Sequence, residues 1–269
     1  MRILFRIGAA LLLLSFVLVG VTASLLKTHG TVNRTTPEMR EVRSQTRPVT
    51  AEVTDIVLSG SVNVMLRQGA VPSMTVRGEE RLLANVETRQ DGDTLHIGIT
   101  GMLLHHRQPL QVILVLPELE TLRIAGSGDS EVNGFNGEHI DVRLEGRGSL
   151  KFNGRYKHVR ATLKGTGDME MNGGASDEVE VAMDGSGDMT VVGSAKQFRA
   201  TRKGSGDLDA RHLAADDAEV VVTGSGSSVV QARKSVEVTL HGSGEVTVFG
   251  NPAERVTERT GSGEINFRQ

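Results

Sequence analysis

Apolar and polar residues alternate in short segments along this chain, and the segments recur. Ile140, Val142 and Leu144 form one such segment. Val159, Ala161 and Leu163, then Val179, Val181 and Met183, then Val236, Val238 and Leu240 repeat it. A second, shorter series follows each of these: Leu150 and Phe152, Met169 and Met171, Met189 and Val191, Val246 and Val248, Ile265 and Phe267. A period of two predicts strands with one buried face.

Between the two series stands a Gly-x-Gly corner. The corners are Gly126 and Gly128, Gly146 and Gly148, Gly165 and Gly167, Gly185 and Gly187, Gly204 and Gly206, Gly224 and Gly226, Gly242 and Gly244, and Gly261 and Gly263. Their first glycines are 20, 19, 20, 19, 20, 18 and 19 residues apart. A fixed period of this size predicts a solenoid in which each repeat is strand, tight corner, strand. The glycines allow a positive φ where the chain turns. Length varies only in the far connection, which carries Phe135, Tyr156, Ala175, Ala195, Ala214 or Ala232 and predicts a short third side.

Charge tests the stack independently. Five residues before the first glycine, successive repeats carry Asp141, Arg160, Glu180, Arg199 and Glu219. One residue before it they carry Glu145, Lys164, Asp184 and Lys203; three after the second glycine, Glu131, Lys151 and Glu170. Parallel coils place equivalent residues about 4.8 Å apart, where opposite charges help and like charges hurt. A helix or hairpin array gives no reason for signs to alternate at this period.

The expected fold is therefore all-β: a single-stranded parallel β-helix of 19–20 residues per coil, preceded by an N-terminal hydrophobic helix. Right-handed crossovers are expected, as in other parallel connections. Residues 118–269 hold the eight regular coils, and residues 50–117 read as less regular coils of the same stack. Within the latter, Ile56, Leu58, Gly60, Val64 and Leu66 echo the motif, with Val62 in place of the second glycine. Arg255, Thr257 and Arg259 occupy the inward frame of the last coil, as expected of an open edge protected by charge. Arg202 is another inward-frame charge, expected to reach solvent or a partner.

The leader changes the picture. Arg2 and Arg6 precede a nearly uncharged run from Ile7 to Leu26, closed by Lys27. It reads as a transmembrane anchor or as a signal peptide cleaved near Ala23. Either way the remainder is exported, to the periplasmic or cell-surface side. Residues 27–50 read as a linker. Arg2 and Arg6 are two of the 30 basic residues, so the exported part carries a formal charge of −5 against 33 acids.

Composition removes several function classes. With no cysteine, thiolate metal sites, disulfides and lipid-modified cysteines are excluded. Aromatics are 3 % of residues and net charge is −3, so nucleic acid is not an expected partner. Glycine supplies 32 of 269 residues. No glycine-rich loop leads into a helix, so no phosphate cradle and no cofactor are expected.

The Gly-Ser-Gly-Asp corners at Gly126, Gly185 and Gly204, the segment Val57-Leu58-Ser59-Gly60-Ser61-Val62-Asn63-Val64 and the run Leu116-Pro117-Glu118-Leu119 resemble a bacterial exported family. It is the putative auto-transporter adhesin, head GIN domain family. The resemblance spans about residues 50–269 and implies a parallel β-solenoid behind an export signal. It carries no catalytic residues. Arg147 and Ser149 depart from the motif in the second corner; Ser227, Glu245 and Glu264 replace Asp in later ones.

One column breaks the rule of alternating sign. The residue after the second glycine is Asp129, Ser149, Asp168, Asp188, Asp207, Ser227, Glu245 or Glu264. Turn chemistry explains it if short carboxylates accept corner N–H groups. Asp129, Asp168, Asp188 and Asp207 are also candidate Ca²⁺ ligands, since a hard cation takes oxygen donors. A cationic partner is a third reading. His105-His106 alone lacks the further ligands a metal needs. The corner serines have no His and Asp singled out beside them, so no nucleophile is expected. The expected function is a non-enzymatic solenoid binding an envelope protein or glycan, held to the membrane through residues 7–26 if uncleaved. The alternatives are a Ca²⁺-stabilised surface module and a polysaccharide-active β-helix enzyme.

Overall fold

The computed structural model describes residues 41–100 and 109–269. The expected N-terminal helix, the cleavage site near Ala23 and His105-His106 lie outside the described residues. Among the described residues, no helix is long and apolar enough to cross a membrane.

The molecule is an all-β solenoid of about seven turns. Six long strands make most of it: β9 (Asp129–Gly146), β10 (Ser149–Gly165), β11 (Asp168–Gly185), β12 (Met189–Gly204), β13 (Leu208–Gly224) and β14 (Ser227–Gly242). Each starts after one corner, runs round the third side and ends at the next corner. Each pairs with the following one in parallel. The last coil is β15 (Glu245–Phe249), β16 (Glu254–Thr260) and β17 (Glu264–Arg268), with β16 on β14 and β17 on β15.

Register follows the glycines. Gly146, Gly165, Gly185, Gly204, Gly224 and Gly242 pair in one unbroken column. Register shifts among β9 to β14 fall between the limb after one corner and the limb before the next, as between Asn153 and Gly154 or Ala210 and Ala214, except between β12 and β13, where the shift comes at the end of the first limb, between Thr190 and Val192. The limbs cannot slip, because a one-residue shift would turn each apolar residue outward. The third side has no such constraint.

The two corner glycines are needed for different reasons. Gly185 has φ 139°, a conformation only glycine adopts freely. Gly187 has no positive φ; a Cβ there would stand 2.0 Å from the Gly167 carbonyl oxygen of the coil below. The second glycine is thus required by close stacking rather than by the turn.

Apolar side chains from both limbs fill the interior. One inward column runs Ile124, Leu144, Leu163 and Met183. Phe135, Tyr156, Ala195 and Ala232 close the third side as expected. Not every small residue of this connection is inside: Ala175 is exposed and Ala214 half-buried, while Ser176, Leu213 and Ala215 point inward. The Ser176 hydroxyl donates to the Tyr156 carbonyl at 2.8 Å, which lets a polar residue sit there.

Residues 50–117 depart from the simple stack. β2 (Asp55–Gly60) and β3 (Asn63–Gln68) form a coil directly beneath β8 (Thr121–Gly126) and β9, with Gly60 under Gly126. The chain then leaves the stack through β4 (Ser73–Glu79), the helical turn α1 (Glu80–Leu83) and β5 (Val86–Asp91). It returns as β6 (Thr94–Ile99) and β7 (Gln111–Leu116), on the other side of β2 and β3. Chain order and stack order therefore differ here. β4 on β7 and β5 on β6 are antiparallel. β1 (Val42–Arg47) lies in the segment read as a linker, yet pairs antiparallel with β4.

Candidate functional site: the outward columns

Stacking turns each outward position into a straight column of side chains. Arg160 pairs in register with both Asp141 and Glu180 and forms an ion pair with Glu180 at 2.7 Å. Asp141 turns to Arg143 in its own strand, at 2.8 Å, and raises the affinity of that guanidinium for its proton. Higher up, Arg199 bridges Glu178 and Glu219. Lys164 meets Glu145 at 3.7 Å, and Lys151 meets Glu170 at 3.3 Å. All three alternating columns are present.

A fourth alternating column stands at the edge of the third side. Eight residues before the first glycine of the second to seventh corners the chain carries Glu138, Lys157, Asp177, Lys196, Asp216 and Lys234. Lys157 donates to Glu138 at 2.7 Å; Lys196 meets Asp177 at 2.6 Å and Lys234 meets Asp216 at 3.0 Å. These ammonium groups hold Glu138, Asp177 and Asp216 below the usual carboxylate range. The signal was in the sequence, but only when positions are counted from the following corner. Counted across the variable connection, it is lost.

The like-charge row after the corners has a geometric cause. The Asp207 N–H donates to Asp188 Oδ1 at 2.9 Å, and the Ser227 N–H to Asp207 Oδ1 at 2.7 Å. The Asp188 N–H reaches Asp168 Oδ1 at 3.4 Å. Above Ser227 and Glu245 the pattern changes. Glu245 and Glu264 donate their N–H groups to the carbonyls of Gly226 and Gly244 instead. The short Asp side chain thus replaces a glycine carbonyl as acceptor for the coil above. Asp129 sits lower, its carboxylate accepting from the Ser149 hydroxyl at 2.6 Å and its N–H donating to Asn63 Oδ1. Among the described residues, no three carboxylate or imidazole side chains converge as metal ligands would.

Arg202, expected to reach solvent or a partner, finds partners inside the stack. It does not reach solvent, being 1 % exposed in the inward column between Met183 and Val222. Its partners are carbonyls of Gly204, Gly206 and Gly226 and the Ser228 hydroxyl, at 2.5–3.3 Å. Burial lowers its affinity for the proton, and nearby Asp207 opposes that.

Open grooves run along these columns. A groove of about 380 Å³ lies beside the stacked rings of His139 and His158, whose centroids are 5.0 Å apart, with Glu178 3.7 Å from His158. Another, of about 490 Å³, runs beside Asn133, Asn153 and Asn172. Both grooves follow the columns across several coils.

Residues 52–252 match the family model described as "Putative auto-transporter adhesin, head GIN domain", and the chain belongs to this family. Comparison with curated proteins returns no significant match. Several solved structures share the fold. A putative adhesin from Parabacteroides distasonis is 21 % identical, with a TM-score of 0.80, over 86 % of this chain and 98 % of that one. A putative adhesin from Parabacteroides merdae is 16 % identical, with a TM-score of 0.79, over 85 % and 97 %. A structure from Parabacteroides distasonis described as a putative lipid binding protein is 21 % identical, with a TM-score of 0.77, over 85 % and 97 %. At these identities the likeness is one of fold.

Proposed function

We propose that this protein is an exported, non-enzymatic binding module that presents repetitive faces to an envelope protein or glycan. Residues 7–26 direct export and either tether the solenoid or are removed near Ala23. The observation that carries this reading is the equivalence of the coils. Outward side chains recur by column rather than gathering around one coil, and the grooves are shallow strips along the stack. Such a surface suits a long ligand held by many weak, similar contacts, where avidity replaces a deep pocket. A hydrolase acting on glycans needs two carboxylates singled out at a set separation in a cleft. Here the carboxylates are engaged in ladders and corner bonds. The family name and the neighbours described as adhesins agree with a binding role.

The test uses the full chain against purified envelope polysaccharide and envelope proteins in a surface-binding assay, alongside a reducing-end assay for cleavage. Saturable binding that weakens gradually as successive coils lose their outward charges supports the proposal. Release of new reducing ends, or abolition of binding by one substitution in one coil, overturns it.

A further inference from the structure

Arg202 and Arg259 occupy the same frame position, two residues before the first glycine of their corners. Both lie in one inward column, running Met183, Arg202, Val222, Leu240 and Arg259. They also make the same bond. Arg202 Nη1 donates to the Gly206 carbonyl at 3.0 Å, and Arg259 Nη1 donates to the Gly263 carbonyl at 2.8 Å. In each case the acceptor is the second glycine, four residues on. Arg259 lies in β16, and among the described residues no further strand pairs above its guanidinium. Arg202 is the same device with further coils built on top of it.

The coil above makes one corner bond fewer than the coils on either side of it, as happens again only at the two ends of the column of corners, where the Gly60 and Gly242 carbonyls each accept one corner N–H. The carbonyls of Gly146, Gly165, Gly185 and Gly224 each accept two N–H groups from the next corner. The Gly204 carbonyl accepts only the Ser225 N–H, and Arg202 Nη1 approaches it at 3.3 Å instead. Remaining guanidinium donors reach up to the Gly226 carbonyl and Ser228 Oγ. Among the described residues, no carboxylate lies within ion-pair distance of this buried cation. The register break between β12 and β13 also comes early, between Thr190 and Val192, next to the buried Met189.

We propose that Arg202 is an internal end-cap: the stack opens from its C-terminal edge in one step that stops at β12, so that β13 to β17 form a separate cooperative unit. Opening at this boundary returns the guanidinium to water while its bond within the β12 corner stays intact. Opening one coil earlier or later would leave Met183 or Val222, rather than a cation, at the new end. In a stack of coils each interface contributes its own stability, so the weakest one sets where partial opening halts. The charged cap favours the opened state at that interface and no other.

Native-state hydrogen exchange of the full chain, read by mass spectrometry, tests this. Amides of residues 208–268 are expected to share one opening and exchange faster than those of 121–204, with the step at the Gly204 corner. Arg202→Met, matched to the Met183 below it, removes a buried unpaired charge and slows exchange of 208–268 at least roughly tenfold. Ser228→Ala strips one acceptor from the closed state only, so it quickens exchange of 208–268 and leaves 121–204 unchanged. A smooth gradient of protection without a step overturns the proposal. So does a step that survives Arg202→Met, or an Arg202→Met chain that no longer folds, since the guanidinium would then be the glue between the coils.

Discussion

The two ends of the stack are closed in opposite ways. At the N-terminal end the chain folds back on itself. β1, β4 and β5 pair antiparallel with their neighbours, and α1 places Leu82 and Leu83 in the core. In the coil of β16 and β17 there is no such fold-back among the described residues. Arg255 lies over the Phe267 ring at 4.6 Å, Arg259 caps a corner carbonyl, and β16 is exposed along its whole length. Both devices address the same problem, a sheet edge with unpaired N–H and C=O groups above an apolar interior. The first adds buried surface and so adds stability. The second makes continued stacking unfavourable and adds little. A solenoid can thus be anchored at one end and free at the other.

The regular stack between the ends should be the least tolerant region. Gly187→Ala places a Cβ against the Gly167 carbonyl and should cost about 4 kcal/mol or more, read as a collapse of the denaturation midpoint. The ends should then separate. Leu82→Ala empties a buried site and should cost about 3 kcal/mol, whereas Arg255→Ala should cost about 1 kcal/mol or less. Equal losses in urea titrations of the two variants would abolish the distinction drawn above.

Where the N-terminal coil meets the regular stack, Ser130 faces inward between Val64 and Leu150, and its hydroxyl is buried without a hydrogen-bond partner. Ser130→Ala should therefore stabilise by about 1 kcal/mol, measured as a raised Tm. The corner row is predicted to be more forgiving. Asp168, Asp188 and Asp207 changed together to Asn keep a side-chain oxygen for the N–H above and lose mutual repulsion, so Tm should hold or rise slightly. The same triple change to Ala should lower Tm, and addition of a calcium chelator should leave it where it is.

The smallest effect concerns pH. Glu138, Asp177 and Asp216 have folded-state values below their ordinary 4.5 and 3.8, because a lysine ammonium bonds each one. Their contribution is present above those ordinary values and disappears as pH falls through the lowered ones. Thermal scans should show a modest loss of stability on acidification below about pH 4, weakened further by salt.

Much of this was legible before any coordinates. The corner glycines, the two limbs and three charged columns follow from one period, since parallel stacking converts sequence spacing into vertical neighbours. The fold-back of β4 to β7 was not legible. Its strands carry no repeat, and whether they run parallel or antiparallel depends on which edge they meet. The partners of Arg202 were not legible for a related reason. Local pattern shows an inward charge but not the ring of carbonyls that receives it, which exists only once the corners of two coils are stacked.

By itself, then, the amino-acid sequence determined the coil length, the inward and outward faces and the order of the regular stack, because each depends on residues at fixed separations. The tertiary structure alone decided how the ends close, why the second corner glycine must lack a side chain, and how a cation lies in the core. Those depend on distances between backbones of different coils, which no spacing along the chain encodes.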